Sequence, residues 1–252
     1  MCDRRIWLIG GTQESAQIAR ACVDQSIPCI VTVTTESARS LYPPMPIRVG
    51  KLTPADLKMF LREHFIFAIV DASHPFAIEI SQLAIAIAAE LKLPYLRFER
   101  SNVVGEPSLN FFSFAALLET DLLIGERVLL TVGYRSLPQF AQWHDRAVLF
   151  ARILPSIEAL SAAQAAGFTS DRLIALRPPI SAELEAALWR QWQISIVVTK
   201  ASGTAGGEAV KRQVAAELGV RLVTIDRPSL SYPQQTSNLM EVMRFCQAKL
   251  RQ

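Results

Sequence analysis

Five short stretches of the chain gather residues that bind anions or move protons, and each follows a run of apolar residues. The first is Gly10-Gly11-Thr12-Gln13-Glu14-Ser15, after Ile6 to Ile9. Two glycines let a backbone turn tightly and come close to a ligand. The helix that follows offers N–H groups and the positive end of its dipole to a phosphate. The spacing is not G-x-G-x-x-G, so two readings stand: a nucleotide cradle, or a tight strand-to-helix turn capped by Thr12. The second stretch is Thr34-Thr35-Glu36-Ser37-Ala38-Arg39. In nucleotide folds an acid at this place meets a ribose 2′-hydroxyl, whereas Arg accommodates a 2′-phosphate. Glu36 argues for one and the Ser37/Arg39 pair for the other. The third is Asp71-Ala72-Ser73-His74-Pro75-Phe76-Ala77. Pro75 keeps His74 out of the helical region, which places its imidazole at the end of a strand. The plainer reading makes Asp71 or Ser73 a helix cap and His74 a hydrogen-bonded core residue. The last two are Thr131-Val132-Gly133-Tyr134-Arg135-Ser136 and the segment Thr199-Lys200-Ala201-Ser202-Gly203-Thr204-Ala205-Gly206-Gly207. The latter is an anion-binding composition ahead of a helix without the Walker order. Its alternative is a flexible loop with Thr204 as cap.

Absences narrow the chemistry. There is no G-x-S-x-G elbow, no Tyr with Lys four residues on, and no H-x-E with CxxC. Cys2, Cys22, Cys29 and Cys246 form no CxxC pair, and His64, His74 and His144 are far apart. A zinc site is therefore not expected, and free thiols in a reducing compartment are. The 252 residues are 50% apolar and 19% charged, with a formal net charge of +3 and no basic run. That excludes disorder and gives nucleic-acid binding little support. No stretch approaches the ~20 apolar residues of a membrane helix, and the first residues lack the apolar core of a secretory signal. The reading is a soluble cytoplasmic protein.

The elements that would position these residues alternate. Strands are expected at Arg5–Ile9, Pro28–Thr34, Phe65–Asp71, Pro94–Phe98, Arg127–Val132, Ala147–Ile153, Leu173–Leu176, Ile194–Thr199 and Val220–Ile225. Amphipathic helices fall between them, one opened by Pro54 at the favoured first position. A last helix runs from about Ser237 to Leu250. This βαβα order implies parallel sheets covered by helices. The polar segment Ser101–Asn110 reads as a linker or loop, so two α/β units are expected, residues 1–115 and 116–252, meeting somewhere in 101–125. One large sheet is the alternative. In such sheets ligands bind beyond the carboxyl ends of the strands, where all five stretches lie.

The stretches also appear in an order that resembles the precorrin-6A reductase family of corrin (vitamin B12) biosynthesis. The resemblance rests on Ile9-Gly10-Gly11-Thr12-Gln13-Glu14, the Asp71–Ala77 stretch, Tyr95-Leu96-Arg97-Phe98-Glu99-Arg100 and Leu130-Thr131-Val132-Gly133-Tyr134-Arg135. It continues through Arg177-Pro178-Pro179-Ile180-Ser181-Ala182-Glu183, Thr199-Lys200-Ala201-Ser202-Gly203 and Asp226-Arg227-Pro228. The chain departs from the pattern at Gln13, at Ser73 and at Gly203-Thr204. The resemblance implies two Rossmann-like domains with mainly parallel sheets and a ligand cleft between them. It implies NADPH-dependent reduction of one C=C bond of precorrin-6A, or its cobalt complex, to the 6B form. The expected cofactor contacts are Gly10, Gly11, Thr12, Glu14, Thr35, Ser37, Arg39, Asp71, Ser73, His74, Pro75 and Phe76, in the first domain. The expected contacts to the polycarboxylate tetrapyrrole are Arg97, Arg100, Thr131, Gly133, Tyr134, Arg135, Arg177, Lys200, Ser202 and Gly203. Arginines suit such a polyanion. Lys200, His74 and Tyr134 are the candidate catalytic residues, with no metal site and no partner beyond transient contact with neighbouring pathway enzymes. The competing readings are a nucleotide-binding sensor without catalysis and a sugar-nucleotide dehydrogenase or epimerase.

Overall fold

The computed structural model describes residues 4–100, 109–203 and 206–250. Its first strands are the buried apolar runs. β1 (Arg5–Ile9), β2 (Cys29–Val33) and β4 (Ile66–Asp71) are buried almost throughout, as strands covered on both faces must be. The helices begin where local chemistry satisfies their first N–H groups. α1 (Gln13–Asp24) starts with a capping box in which Thr12 and Ser15 bond each other's backbone. The short α2 (Glu36–Arg39) and β3 (Ile47–Val49) follow β2. α3 (Pro54–Glu63) has Thr53 as cap and Pro54 in its first turn. α4 (Ile78–Leu91) leads to β5 (Tyr95–Phe98). Neither Asp71 nor Ser73 caps α4; its N-cap is Ala77, with no side-chain bond. The sheet runs β3-β2-β1-β4-β5, every pair parallel.

The second unit repeats this order. β6 (Leu109–Phe111), α5 (Phe114–Leu118) and β7 (Arg127–Thr131) are followed by a 3-10 segment, Tyr134–Trp143. Then come β8 (Val148–Ile153), α6 (Ile157–Ala165), β9 (Leu173–Ala175), α7 (Ala182–Gln191), β10 (Ile196–Lys200), α8 (Glu208–Leu218) and β11 (Arg221–Ile225). The sheet order is β9-β8-β7-β10-β11-β6, again all parallel. The chain then returns to the first sheet. β12 (Gln235–Thr236) pairs with β5, and α9 (Leu239–Leu250) buries Val242, Met243 and Cys246 in the core that holds Ile6, Leu8 and Val31. The first sheet thus has the 3-2-1-4-5-6 order of dinucleotide-binding folds, with β12 as its sixth strand; the second keeps the same order from β7 to β11, and its edge strand, β6, precedes them in the chain.

This return corrects the expected division. The first unit is residues 1–101 together with 229–252, and the second is 102–228. The C-terminal segment leaves the second unit because the open edge of β5 accepts β12 and because α9 covers the apolar face beside α1. Part of the expected loop Ser101–Asn110 lies outside the described residues, and Leu109 and Asn110 belong to β6. Among the described residues no helix is long and apolar enough to cross a membrane, and Cys22, Cys29 and Cys246 are buried and free. Cys2 lies outside them.

Candidate functional site

The strand order reverses beside β1 in the first unit and beside β7 in the second, and such a point is where open α/β sheets bind ligands. In the first unit it lies between the carboxyl ends of β1 and β4. The two glycines there do different work. A side chain at Gly10 would meet the Tyr42 hydroxyl at 2.3 Å and Val31 at 2.9 Å. Gly11 has φ +101°, and a Cβ on it would meet nothing within 4 Å among the described residues. Gly10 is therefore glycine because of close packing, and Gly11 because of its backbone conformation, with open space before it. Thr12 Oγ1 donates to the Ala72 carbonyl at 2.8 Å, which ties this turn to the stretch after β4. The Gly11 N–H donates to the Tyr42 hydroxyl at 2.6 Å, and the same hydroxyl lies 2.6 Å from Ser15 Oγ. Burial pushes the Tyr42 phenol up from its ordinary pKa, so it stays protonated. Nothing in the sequence singles out Tyr42, which arrives from a proline-rich loop 31 residues away.

Thr35, Ser37 and Arg39 lie at the carboxyl end of β2. Thr35 and Ser37 hydroxyls are 3.2 Å apart, and Arg39 makes an exposed pair with Glu36 at 3.2 Å. An exposed pair of this kind is weak and easily exchanged. Glu14 and Arg100, expected on cofactor and substrate respectively, face each other at 3.0 Å. His74 is exposed at the end of β4; its Nδ1 accepts from the Phe76 N–H at 3.2 Å, so the neutral ring carries its proton on Nε2. Pro75 is buried and Phe76 half-buried beside the imidazole.

Asp71, Ser73 and Arg97 require a correction. Asp71 is 0% exposed and Arg97 1%. Arg97 donates to Asp71 Oδ1 at 2.9 Å, to Ser73 Oγ at 3.0 Å and to Glu99 Oε2 at 2.8 Å. Asp71 accepts further from the Ser73 N–H at 3.0 Å, the Ser81 hydroxyl at 2.6 Å and the Tyr95 hydroxyl at 2.8 Å. Burial opposes the charge of Arg97, but Asp71 and Glu99 outweigh it and hold its pKa up. Burial and then Asp71 push the Tyr95 phenol up. With both charges sealed inside the sheet, neither Asp71 nor Arg97 is presented to a ligand. They fix the chain that carries His74 and Pro75.

In the second unit Thr131 Oγ1 donates to the Val198 carbonyl at 3.2 Å. Gly133, with φ +79°, turns the chain after β7. Tyr134 donates to Glu158 Oε1, and Arg135 Nε donates to the Tyr134 oxygen at 3.2 Å. Burial and Glu158 raise the Tyr134 pKa. Lys200 ends β10, its Nζ 5.6 Å from the Phe114 ring centre. Burial, then the charge of Arg135, lower its pKa to about 8. Ser202 and Gly203 are buried, against the expectation that they touch substrate. The Gly203 N–H donates to Glu208 Oε2 at 3.0 Å, and Lys211 Nζ donates to the Gly206 carbonyl at 2.9 Å. Glu208 and Lys211 thus hold the loop from below; sequence reasoning missed both because the first helical turn after a glycine loop looks solvated. Thr204 lies outside the described residues, and the N-cap of α8 is Gly207. Arg177 is exposed beyond β9. A cavity of about 330 Å³ in the first unit lies at the amino ends of β1 and β2, beside Cys22 and Cys29, away from the edge that carries these groups.

Two parallel sheets that share the dinucleotide-fold order over five strands, with positive-φ glycine turns after β1 and β7, define an α/β protein of the Rossmann-like class. Residues 5–247 match the family described as Precorrin-6x reductase CbiJ/CobK. The chain is 51% identical to the cobalt-precorrin-6A reductase of Synechocystis sp., over 97% of each chain. It is 32% identical to that of Priestia megaterium, over 94% of this chain and 96% of the relative. A solved structure titled CobK precorrin-6A reductase has the same fold, with TM-score 0.82 at 24% identity over 98% of this chain and 97% of that one. The chain belongs to the precorrin-6x reductase family, and is an oxidoreductase of cobalamin biosynthesis acting on a CH–CH group.

Proposed function

We propose that the protein transfers a hydride from NADPH to one C=C bond of precorrin-6A, or of its cobalt complex, to give the 6B form. Support for the substrate is the 51% identity to a cobalt-precorrin-6A reductase over 97% of each chain. Support for the cofactor is the space before Gly11. A backbone with none of the described residues within 4 Å of its missing Cβ, at the start of a 12-residue helix, suits a pyrophosphate. The Ser15 N–H is taken by Thr12 Oγ1, the N–H groups of Gln13 and Glu14 have no acceptor within the helix, and the dipole favours an anion there. Gly10, Gly11 and Thr12 would hold the pyrophosphate, with the Tyr42 hydroxyl giving up or sharing the Gly11 N–H. Ser37 and Arg39 would meet the 2′-phosphate, Arg39 leaving its solvated partner Glu36.

Bound NADPH supplies the hydride; the protein must deliver a proton to the neighbouring carbon. Lys200 is the donor we assign. An ordinary lysine near pKa 10.4 is a poor acid at neutral pH, but one lowered to about 8 is protonated at pH 7 and releases its proton far more readily. Tyr134 is less suited, since its proton is held by Glu158 and its pKa is raised. Arg135 and Arg177, both exposed, would take carboxylate arms of the ring. The free thiols Cys22, Cys29 and Cys246 fit a cytoplasmic setting, where the substrate passes by transient contact with neighbouring enzymes.

The direct experiment supplies NADPH with precorrin-6A, metal-free or cobalt-loaded, and follows both chromophores. Oxidation of NADPH in step with the loss of the 6A spectrum is the expected result. Absence of turnover with both tetrapyrroles would remove the proposal.

A further inference from the structure

A polar row closes the apolar core of the second sheet. Register sets Thr131, Thr199, Thr224 and Asn110 side by side on β7, β10, β11 and β6. Two residues earlier on the same face, Leu129, Val197 and Leu222 pack with Trp189 and Val214 in an ordinary core. Thr199 and Thr224 are each 1% exposed. A buried hydroxyl lowers stability unless it finds a partner, and Thr224 Oγ1 has none among the described residues. Thr224 and Asn110 line a cavity of about 240 Å³ whose walls also include Glu208, Arg212, Asp226 and Arg227. Glu208 is already engaged there, by the Gly203 N–H and by Arg212 at 2.9 Å. Arg227 Nε donates to the Ala201 carbonyl at 2.8 Å, which anchors its guanidinium beside the Lys200 loop. The donors in these walls are a hydroxyl, an amide and two guanidinium groups. A water takes about 30 Å³, so there is room for a short arm of about five heavy atoms with its solvent.

We propose that this cavity is a carboxylate subsite, taking an acetate or propionate arm of the substrate with Thr224, Asn110 and Arg227 as donors. The proposal rests on the reading of the substrate as a polycarboxylate tetrapyrrole. It gives Thr224 a partner and explains why neutral polar residues stand in a row that packing alone would fill with valine.

Thr224→Val removes the hydroxyl and keeps the shape. The expected result is a KM for the tetrapyrrole raised about tenfold, the loss of one hydrogen bond to a charged group. The NADPH dissociation constant should stay within about twofold, and the melting temperature should hold or rise. A structural hydroxyl would instead lower the melting temperature and leave KM alone, which overturns the proposal. A rise confined to the NADPH dissociation constant would assign the cavity to the nucleotide and also overturns it. A second arm titrates the 15N-labelled wild type with sodium propionate, with sodium chloride as control. Saturable shifts of the Ala201 and Asp226 amides, weakened in Thr224→Val, are expected; their absence from the wild type refutes a carboxylate site. A wild type that takes propionate here but reduces no tetrapyrrole breaks the reading of function and leaves the carboxylate site standing.

Discussion

The two sheets carry the same row of positions, filled in opposite ways. Counting back two residues from the positive-φ glycines Gly11 and Gly133 pairs Ile9 with Thr131. Register then sets Asp71 against Thr199, Arg97 against Thr224 and Gln235 against Asn110. In the first unit the row holds an ion pair sealed by Ser73, Ser81, Tyr95 and Glu99. A buried charge is tolerated only with such a complete set of partners, so neither charge in that row is left for a ligand. In the second unit the row holds three hydroxyls and an amide, one hydroxyl without a partner among the described residues, beside a polar cavity. One topology thus yields a saturated row that stiffens the stretch carrying His74, and an unsaturated row that can receive an arm of a substrate.

The sharpest way to break the comparison is to remove one partner in each row. Arg97→Met leaves Asp71 buried and uncompensated, and should lower stability by about 3–5 kcal/mol, read by urea unfolding. Thr224→Val should change it by no more than about 0.5 kcal/mol. Similar losses at both sites would erase the distinction. Lys200→Gln tests the proposed division of labour. It should reduce kcat by about 10²- to 10³-fold with the NADPH dissociation constant nearly unchanged. The wild-type kcat should fall as pH rises through about 8, where Lys200 loses its proton, and the variant should lack that limb. Loss of NADPH binding instead would mean that the two units have been assigned the wrong way round. Gly11→Val puts a β-branched side chain at φ +101° in the open space. It should weaken NADPH binding about 100-fold, since the side chain takes the space of the ligand and such overpacking costs about 1–3 kcal/mol, while circular dichroism still shows a folded protein. Normal binding would reduce the turn to a structural feature. A smaller effect on cofactor binding is expected from Arg39→Ala, which should raise the NADPH KM about tenfold, the worth of one charge-assisted contact, and leave NADH unaffected. Equal use of both cofactors by the wild type would hand the choice to Glu36.

The sequence by itself determined the alternation of strands and helices, the two glycine turns and the family. β4 reads as a strand because Phe65–Asp71 is a short apolar run with β-branched residues. α3 reads as a helix because Pro54 marks its start. These signals are local: each is a short run whose own pattern declares its state. The positions of His74, Tyr134 and Lys200 at strand ends were legible for the same reason. Tertiary structure decided the rest. The return of residues 229–252 to the first unit depends on a strand of two residues, Gln235–Thr236, too short for any period to show. The sealing of Arg97 by Asp71 joins residues 26 apart, and the contact of Gly11 with Tyr42 joins residues 31 apart. The lowered pKa of Lys200 comes from burial and from Arg135, which lies on a different strand connection. Desolvation and charge pairing are set by which groups the fold brings together. An arginine at the end of a strand therefore looks the same in sequence whether it awaits a ligand or is already locked to its own sheet.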